Sequence, residues 1–235
     1  MATTPRILGH RGAPRAAREN TLEAFGAALA EGADGVELDV HATADGVLVC
    51  HHDCEVPEVG LIESLEWAAL RAAAPSVPTL DAVLDLCAGT LVNIEVKNSD
   101  GDPGYDPTET AAAAVVALLA ARGGRDEVVV SSFSLASIDR VRALDPNVPT
   151  GLLYAPDLAN ADALFAARVG GHGALHPHWV SLAGDEGAAF VAECHAAGIT
   201  VNVWTVNDEP VATSLAAAGV DALITDTPAI LRTWL

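Results

Sequence analysis

Short apolar runs recur along the chain, bounded by Gly, Pro, Asn and Asp. They are Arg6–Gly9, Gly35–Val40, Leu91–Val96, Glu127–Ser131, Thr150–Tyr154, Ala174–His176, Ile199–Trp204 and Asp221–Thr225. Their length and their Val, Ile and Leu content predict strands. Ala- and Leu-rich stretches between them predict helices over 20–31, 80–87, 108–122, 135–144, 158–168, 186–197, 209–218 and 228–235. Asn20 is expected to cap the first of these and Thr79 the second. Gly198 and Gly219 suit the ends of two others. Residues 54–77 break the rhythm, with one helical piece over 64–73 set between Pro57 and Pro75. Residues 98–107 form a polar loop rich in turn residues.

Eight strands, each followed by a helix, imply a parallel sheet. Eight such units in a chain of 235 residues predict a TIM (β/α)8 barrel spanning 1–235 as one domain. The 54–77 stretch is then a short insertion over the C-terminal face of the barrel. A doubly wound open sheet is the alternative. It would carry a Gly-rich phosphate turn after the first strand, and His10-Arg11-Gly12-Ala13-Pro14 is not one.

The stretch Gly35–Asp53 departs most from a purely structural pattern. Glu37 and Asp39 alternate with Val36, Leu38 and Val40, which sets both acids on one strand face. Asp and Glu are poor strand formers, so a cation is expected against them, a divalent metal first. After the turn at Ala44-Asp45-Gly46 the chain runs through Val47–Val49 to His51, His52 and Asp53. Cys50 and Cys54 flank the histidines, but a structural zinc site needs a second ligand pair that is not visible. The cysteines read as small apolar residues at a strand end.

Charge narrows the partners. There are 32 acidic and 12 basic residues, for a formal charge of −20. This argues against nucleic acid and against stable association with an anionic membrane. Without a basic leader or an apolar run of ~18 residues, a cytoplasmic protein is expected. Self-association stays open. Lys97 is the lone lysine among eleven arginines, which marks a place for a compact ammonium instead of a planar fork.

In a TIM barrel the active site lies at the C-terminal ends of the strands, where the unusual residues collect. Strand one ends in His10-Arg11, strand two carries Glu37 and Asp39 with His52 just beyond, and strand three ends in Glu95-Val96-Lys97. Ser131, Ser132, His176, Trp204 and Asp226 fall at later strand ends. The two serines and Asp226 are read equally as helix caps. Glu37, Asp39 and Glu95 offer three hard oxygen ligands, suited to Mg²⁺ or Ca²⁺. His10 and His52 can serve as general base and acid. Arg11 and Lys97 add positive charge, so the site can take an anion such as a phosphate ester.

The set HRG…ENT, ELDVHATADGVLVCHHD, NIEVK, SSF, WTVN and GVDALITDTP, from His10 to Pro228, resembles the glycerophosphodiester phosphodiesterase family. The resemblance implies a TIM barrel with a small insertion after its second strand. It implies hydrolysis of glycerophosphodiesters to sn-glycerol 3-phosphate and an alcohol. His10 and His52 would be the acid–base pair, and Glu37, Asp39 and Glu95 would hold one divalent cation. Arg11 and Lys97 would hold the phosphate, and Trp204 would line the glycerol side. Arg18 stands where the family often has Pro, and CEVPEVG replaces an Arg- and Thr-containing stretch after His-Asp. That loop would face the leaving alcohol. A relative acting on lysophospholipids is the competing enzyme reading, with Leu61, Ile62, Leu65 and Trp67 as a source of an acyl groove. A non-catalytic barrel that binds phosphate compounds is the competing reading outside enzymes.

Overall fold

The computed structural model describes residues 4–184 and 186–235. Eight parallel strands close into a TIM barrel: β1 (Arg6–His10), β2 (Gly35–Ala42), β6 (Leu91–Val96), β7 (Glu127–Ser132), β8 (Thr150–Tyr154), β9 (Ala174–Pro177), β10 (Thr200–Val203) and β11 (Ala222–Thr225). Closure comes from β1 pairing with both β11 and β2. The three remaining strands are short: β3 (Leu48–Cys50), β4 (Glu55–Val56) and β5 (Gly60–Leu61). Helices α1 (Leu22–Ala30), α3 (Leu80–Leu86), α4 (Thr110–Ala121), α5 (Leu135–Leu144), α6 (Asn160–Gly170), α7 (Gly187–Ala196), α8 (Glu209–Ala218) and α9 (Pro228–Trp234) follow the barrel strands, and α2 (Trp67–Ala73) lies in the insertion.

Strands covered by helices on one side and by the barrel on the other are buried on both faces, which is why they read as apolar runs. Two large apolar clusters lie between barrel and helices, one around Val36, Leu38, Ile94 and Val115, the other around Leu175, Val201, Leu223 and Ile138. Inside the barrel the apolar part is thin: Leu8, Ala222 and Ile224, with Leu91 and Trp204 against them. Glu37, Asp39, Asn93, Glu95, Ser131 and His176 are buried polar groups on the inner strands. Gly151 makes room for this set, because a Cβ there would come within 2.6 Å of His176 Nε2.

Several boundaries differ from the sequence expectations for local reasons. Thr21, not Asn20, caps α1, with its hydroxyl accepting from Ala24 N at 3.2 Å. Asn20 is instead in the left-handed region, φ 53°, and its side chain is used elsewhere. Thr79 caps α3 as expected. Helix α4 starts at Thr110 instead of 108, because both Asp106 carboxylate oxygens accept from the chain ahead of it, at Thr108 N and Thr110 N. The helical piece expected over 64–73 divides into a 3-10 turn, Ile62–Ser64, and α2.

The stretch after β2 makes a hairpin. Strand β3 runs antiparallel to β2, with Cys50 opposite Val40 and Leu48 opposite Ala42. The hairpin folds His51 back so that its N–H donates to the Asp39 carbonyl at 3.2 Å. Its neighbour His52 is carried to the same end of the barrel. Beyond it Val56, Ile62, Leu70 and Val77 bury one another with Val49, and Leu65 and Trp67 pack against them. Of the apolar residues of the insertion, Ile62, Leu65 and Trp67 are thus engaged in this small core.

Candidate active site

Three carboxylates meet inside the C-terminal end of the barrel. Glu37 and Asp39 lie on β2, and Glu95 pairs in register with Asp39 from β6. They are 3 %, 1 % and 8 % exposed, and one ligand oxygen from each lies within 4.8 Å of the others. Among the described residues this is the one such group of metal-ligating side chains. Cys50, in contrast, is sealed in the apolar core, where burial drives its thiol pKa well up. The Cys50–Cys54 pair forms no metal site with the histidines.

The cluster is under electrostatic tension. Burial, followed by the Asp39 charge, pushes Glu37 up to about 8. Glu95 is raised by the same two causes, with Lys97 opposing. Asp39 goes the other way: burial acts against its charge, but Lys97 and Arg11 outweigh it and hold it below the usual carboxylate range. Lys97 Nζ lies 2.9 Å from Glu95 Oε1 and 3.5 Å from Asp39 Oδ1, and Arg11 Nε lies 3.2 Å from Asp39 Oδ2. Two cations thus hold Asp39 charged while Glu37 is left undercompensated. Three oxygen donors with an unmet demand for positive charge fit a hard divalent cation.

The loop after β1 serves this cluster. Arg11 and Gly12 both take positive φ, 55° and 90°. A Cβ on Gly12 would fall 2.5 Å from the Ala24 backbone, so only glycine fits. The turn aims the Arg11 N–H at Glu37 Oε2, 3.0 Å away. A left-handed non-glycine residue costs about 1–2 kcal/mol, here repaid by a bond to a buried carboxylate. Asn20 donates from Nδ2 to Asp39 Oδ2 at 2.8 Å and accepts from Asp39 N at 3.3 Å. Sequence reasoning took Asn20 for a cap. The signal for its true use is its adjacency to Thr21, a competent cap that left Asn20 over.

Both candidate histidines have a carboxylate on Nδ1. His10 Nδ1 is 2.7 Å from Asp226 Oδ1, and His52 Nδ1 is 2.7 Å from Asp53 Oδ1. Such a partner favours the proton on Nδ1 and leaves Nε2 for a ligand. Burial opposes charging of His10, but the bond to Asp226 and the field of Glu37 prevail and raise its pKa. Asp226 is itself held: Asn207 Nδ2 donates to its Oδ2 at 2.7 Å, and its backbone N–H donates to Asn207 Oδ1 at 2.9 Å. Of the two sequence readings of Asp226, helix cap or site residue, the contacts favour the site. Asn207 was missed altogether.

A cavity of about 230 Å³ opens over these groups. His10, Arg11, Glu37, His52, Glu95, Lys97 and Trp204 line it, so these seven sequence candidates face one space, while Asp39, Ser131, Ser132, His176 and Asp226 do not line it. Phe133, Leu153 and Ile224 give it an apolar side. Trp204 stands edge-on to Phe133 at 5.5 Å and is fixed by its Nε1 donating to the His176 carbonyl at 2.8 Å. His176 itself is buried beneath, where desolvation lowers it to about 3 and keeps it neutral.

Residues 10–230 match the model of the glycerophosphoryl diester phosphodiesterase family. The chain belongs to that family. A glycerophosphodiester phosphodiesterase from Caldanaerobacter subterraneus is 30 % identical, covering 96 % of this chain and 95 % of that protein. The crystal structure of the glycerophosphodiester phosphodiesterase from Thermotoga maritima superposes with a TM-score of 0.85 at 25 % identity, over the full length of both chains. An Oleispira antarctica phosphodiesterase, solved in complex with the product sn-glycerol-3-phosphate, gives a TM-score of 0.83 at 27 % identity, covering 98 % and 96 % of the two chains. The barrel of this family member is therefore shared over nearly its whole length with those phosphodiesterase structures. Among its described residues no helix is long and apolar enough to cross a membrane.

Proposed function

We propose that the protein hydrolyses glycerophosphodiesters to sn-glycerol 3-phosphate and an alcohol, with His10 and His52 as its acid–base pair. The observation that carries this reading is the convergence of two Nδ1-anchored histidines and two cations on one small cavity, with a cluster of three buried carboxylates at its wall. Family membership supports the reaction class.

Glu37, Asp39 and Glu95 would hold one divalent cation, Mg²⁺ or Ca²⁺ by the hardness of the donors. When bound, the cation supplies Lewis-acid polarisation of a phosphoryl oxygen. Arg11 and Lys97 attract the diester phosphate and stabilise the charge that builds on it during transfer. One histidine takes a proton through Nε2 from the attacking hydroxyl, either water, which gives sn-glycerol 3-phosphate directly, or the substrate's own secondary hydroxyl, which gives a cyclic phosphate that water then opens. The other gives its proton to the departing alcohol oxygen. Each ring then holds the opposite protonation state, and the carboxylate on Nδ1 stabilises whichever ring is cationic. Trp204 and Phe133 exclude water from one side of the cavity and pack against the carbons of the glycerol moiety.

Asp226 acts through His10. Asp226→Asn keeps the shape and weakens the hold on Nδ1, so kcat is expected to fall about 10- to 100-fold. The His10 ring titration, followed by NMR, should move down, since a partner that raises it is gone. Unchanged kcat and titration would remove Asp226 from this role.

The packing of Ile62, Leu65 and Trp67 into the small core of the insertion favours water-soluble diesters over lysophospholipids. The test is release of glycerol 3-phosphate from glycerophosphocholine and glycerophosphoethanolamine beside choline release from lysophosphatidylcholine. Turnover of the first two and little of the third is expected. Preference for the lysolipid would overturn the substrate assignment.

A further inference from the structure

One buried polar side chain in the cavity has no part in the chemistry above. Asn93 lies on β6, two residues before Glu95 and so on the same inward face, and in register with Glu37. It is 0 % exposed, it lines the cavity, and neither Oδ1 nor Nδ2 has a hydrogen-bond partner in the structure. Burying both ends of an amide without partners is costly. The site therefore accommodates a group that satisfies both.

The amide is selective about what that group is. An anion satisfies Nδ2 and sets lone pairs against Oδ1. A cation satisfies Oδ1 and is repelled by Nδ2. A hydroxyl carries one donor and acceptor lone pairs, so it meets both ends. The surroundings exclude a purely polar occupant: Leu153, Ile224 and the Phe133–Trp204 pair face the same space. The cavity, about 230 Å³, also exceeds by several-fold the ~30 Å³ share of one water in the liquid. The matching ligand has hydroxyls on a short carbon chain. Under the hydrolase reading above, that is the glycerol moiety.

We propose that the Asn93 side-chain amide binds a hydroxyl of the substrate's three-carbon polyol at the base of the cavity and selects for that hydroxyl. Asn93 is then a specificity residue, set on a rigid barrel strand directly beneath the carboxylate cluster. A site built to hydrogen-bond a hydroxyl rejects the analogue that lacks it, because its own polar groups are left unpaired.

Calorimetric titration of the full chain in Mg²⁺ buffer tests this with four ligands: sn-glycerol 3-phosphate, propane-1,3-diol monophosphate, propane-1,2-diol 1-phosphate and inorganic phosphate. The wild type should bind glycerol 3-phosphate about tenfold more tightly than at least one of the deoxy analogues. Asn93→Ala should bind all three organic phosphates alike, with its affinity for inorganic phosphate unchanged. Equal binding of the three by the wild type, or full discrimination retained in Asn93→Ala, would overturn the assignment. Should the Ala variant fail to fold, Asn93→Ser, whose hydroxyl is too short to span the gap, carries the same comparison. Glycerophosphocholine hydrolysis is measured on the same wild-type sample. Its absence contradicts the hydrolase reading, whereas hydrolysis without hydroxyl discrimination contradicts only the role of Asn93.

Discussion

His10→Ala and His52→Ala are each expected to lower kcat by about 10²- to 10⁴-fold, the usual worth of a positioned proton-transfer group. The effect should fall on kcat more than on KM, because Arg11, Lys97 and the cation site still receive the phosphate. The double variant should be little worse than the poorer single one. Residues that work as a unit lose their joint contribution when either is removed. Steady-state kinetics of the three variants checks this. Loss that multiplies across the two sites would mean that the histidines act independently. Circular dichroism controls for the fold; His10 is a part-exposed ring at a strand end, bonded to Asp226 alone among the side chains.

Glu37→Gln is expected to abolish specific divalent-cation binding and, with it, turnover, yet to leave the metal-free protein as stable or more so. The sign follows from the carboxyl's pKa, about 8 in the folded protein against 4.5 as its ordinary value. Between these values the folded state holds a proton that the unfolded state has lost. Stability of the metal-free protein therefore falls as pH rises through that window and levels off above about pH 8. The amide carries no such charge, so the variant should lose this slope, a difference of a few kcal/mol at the alkaline end. Thermal melts in EDTA from pH 5 to 9 measure it, and parallel curves for the two proteins would contradict it. The same proton makes cation binding by the wild type pH-dependent. Uptake near neutral pH should release it, and affinity should rise with pH until about 8.

What could be read from the chain was what repeats or stands out locally. The barrel strands are short apolar runs between turn residues, and their burial on both faces makes that pattern plain. Glu37 and Asp39 stood out as in-line acids on a strand, and Lys97 as the lone lysine beside Glu95. What the sequence left open or did not show depends on partners far away in the chain. Asp226 meets His10 across 216 positions, a contact made only when β11 closes against β1. Asn207 is identified by Asp226, not by its own neighbours. Asn20 was misassigned because capping is a local rule, whereas its bond is to β2. Asn93 carried a faint signal: it is one polar residue in LVNIEV, at the spacing that shares a face with Glu95. Its meaning required the register with Glu37 and the cavity above it.

Phosphorus NMR of glycerophosphocholine incubated with the protein tests the central claim most directly. With Mg²⁺ or Ca²⁺ present, the diester resonance should give way to the monoester resonance of sn-glycerol 3-phosphate, and excess EDTA should halt the conversion. A diester signal that persists with the cation present, or that converts equally fast in EDTA, would contradict it.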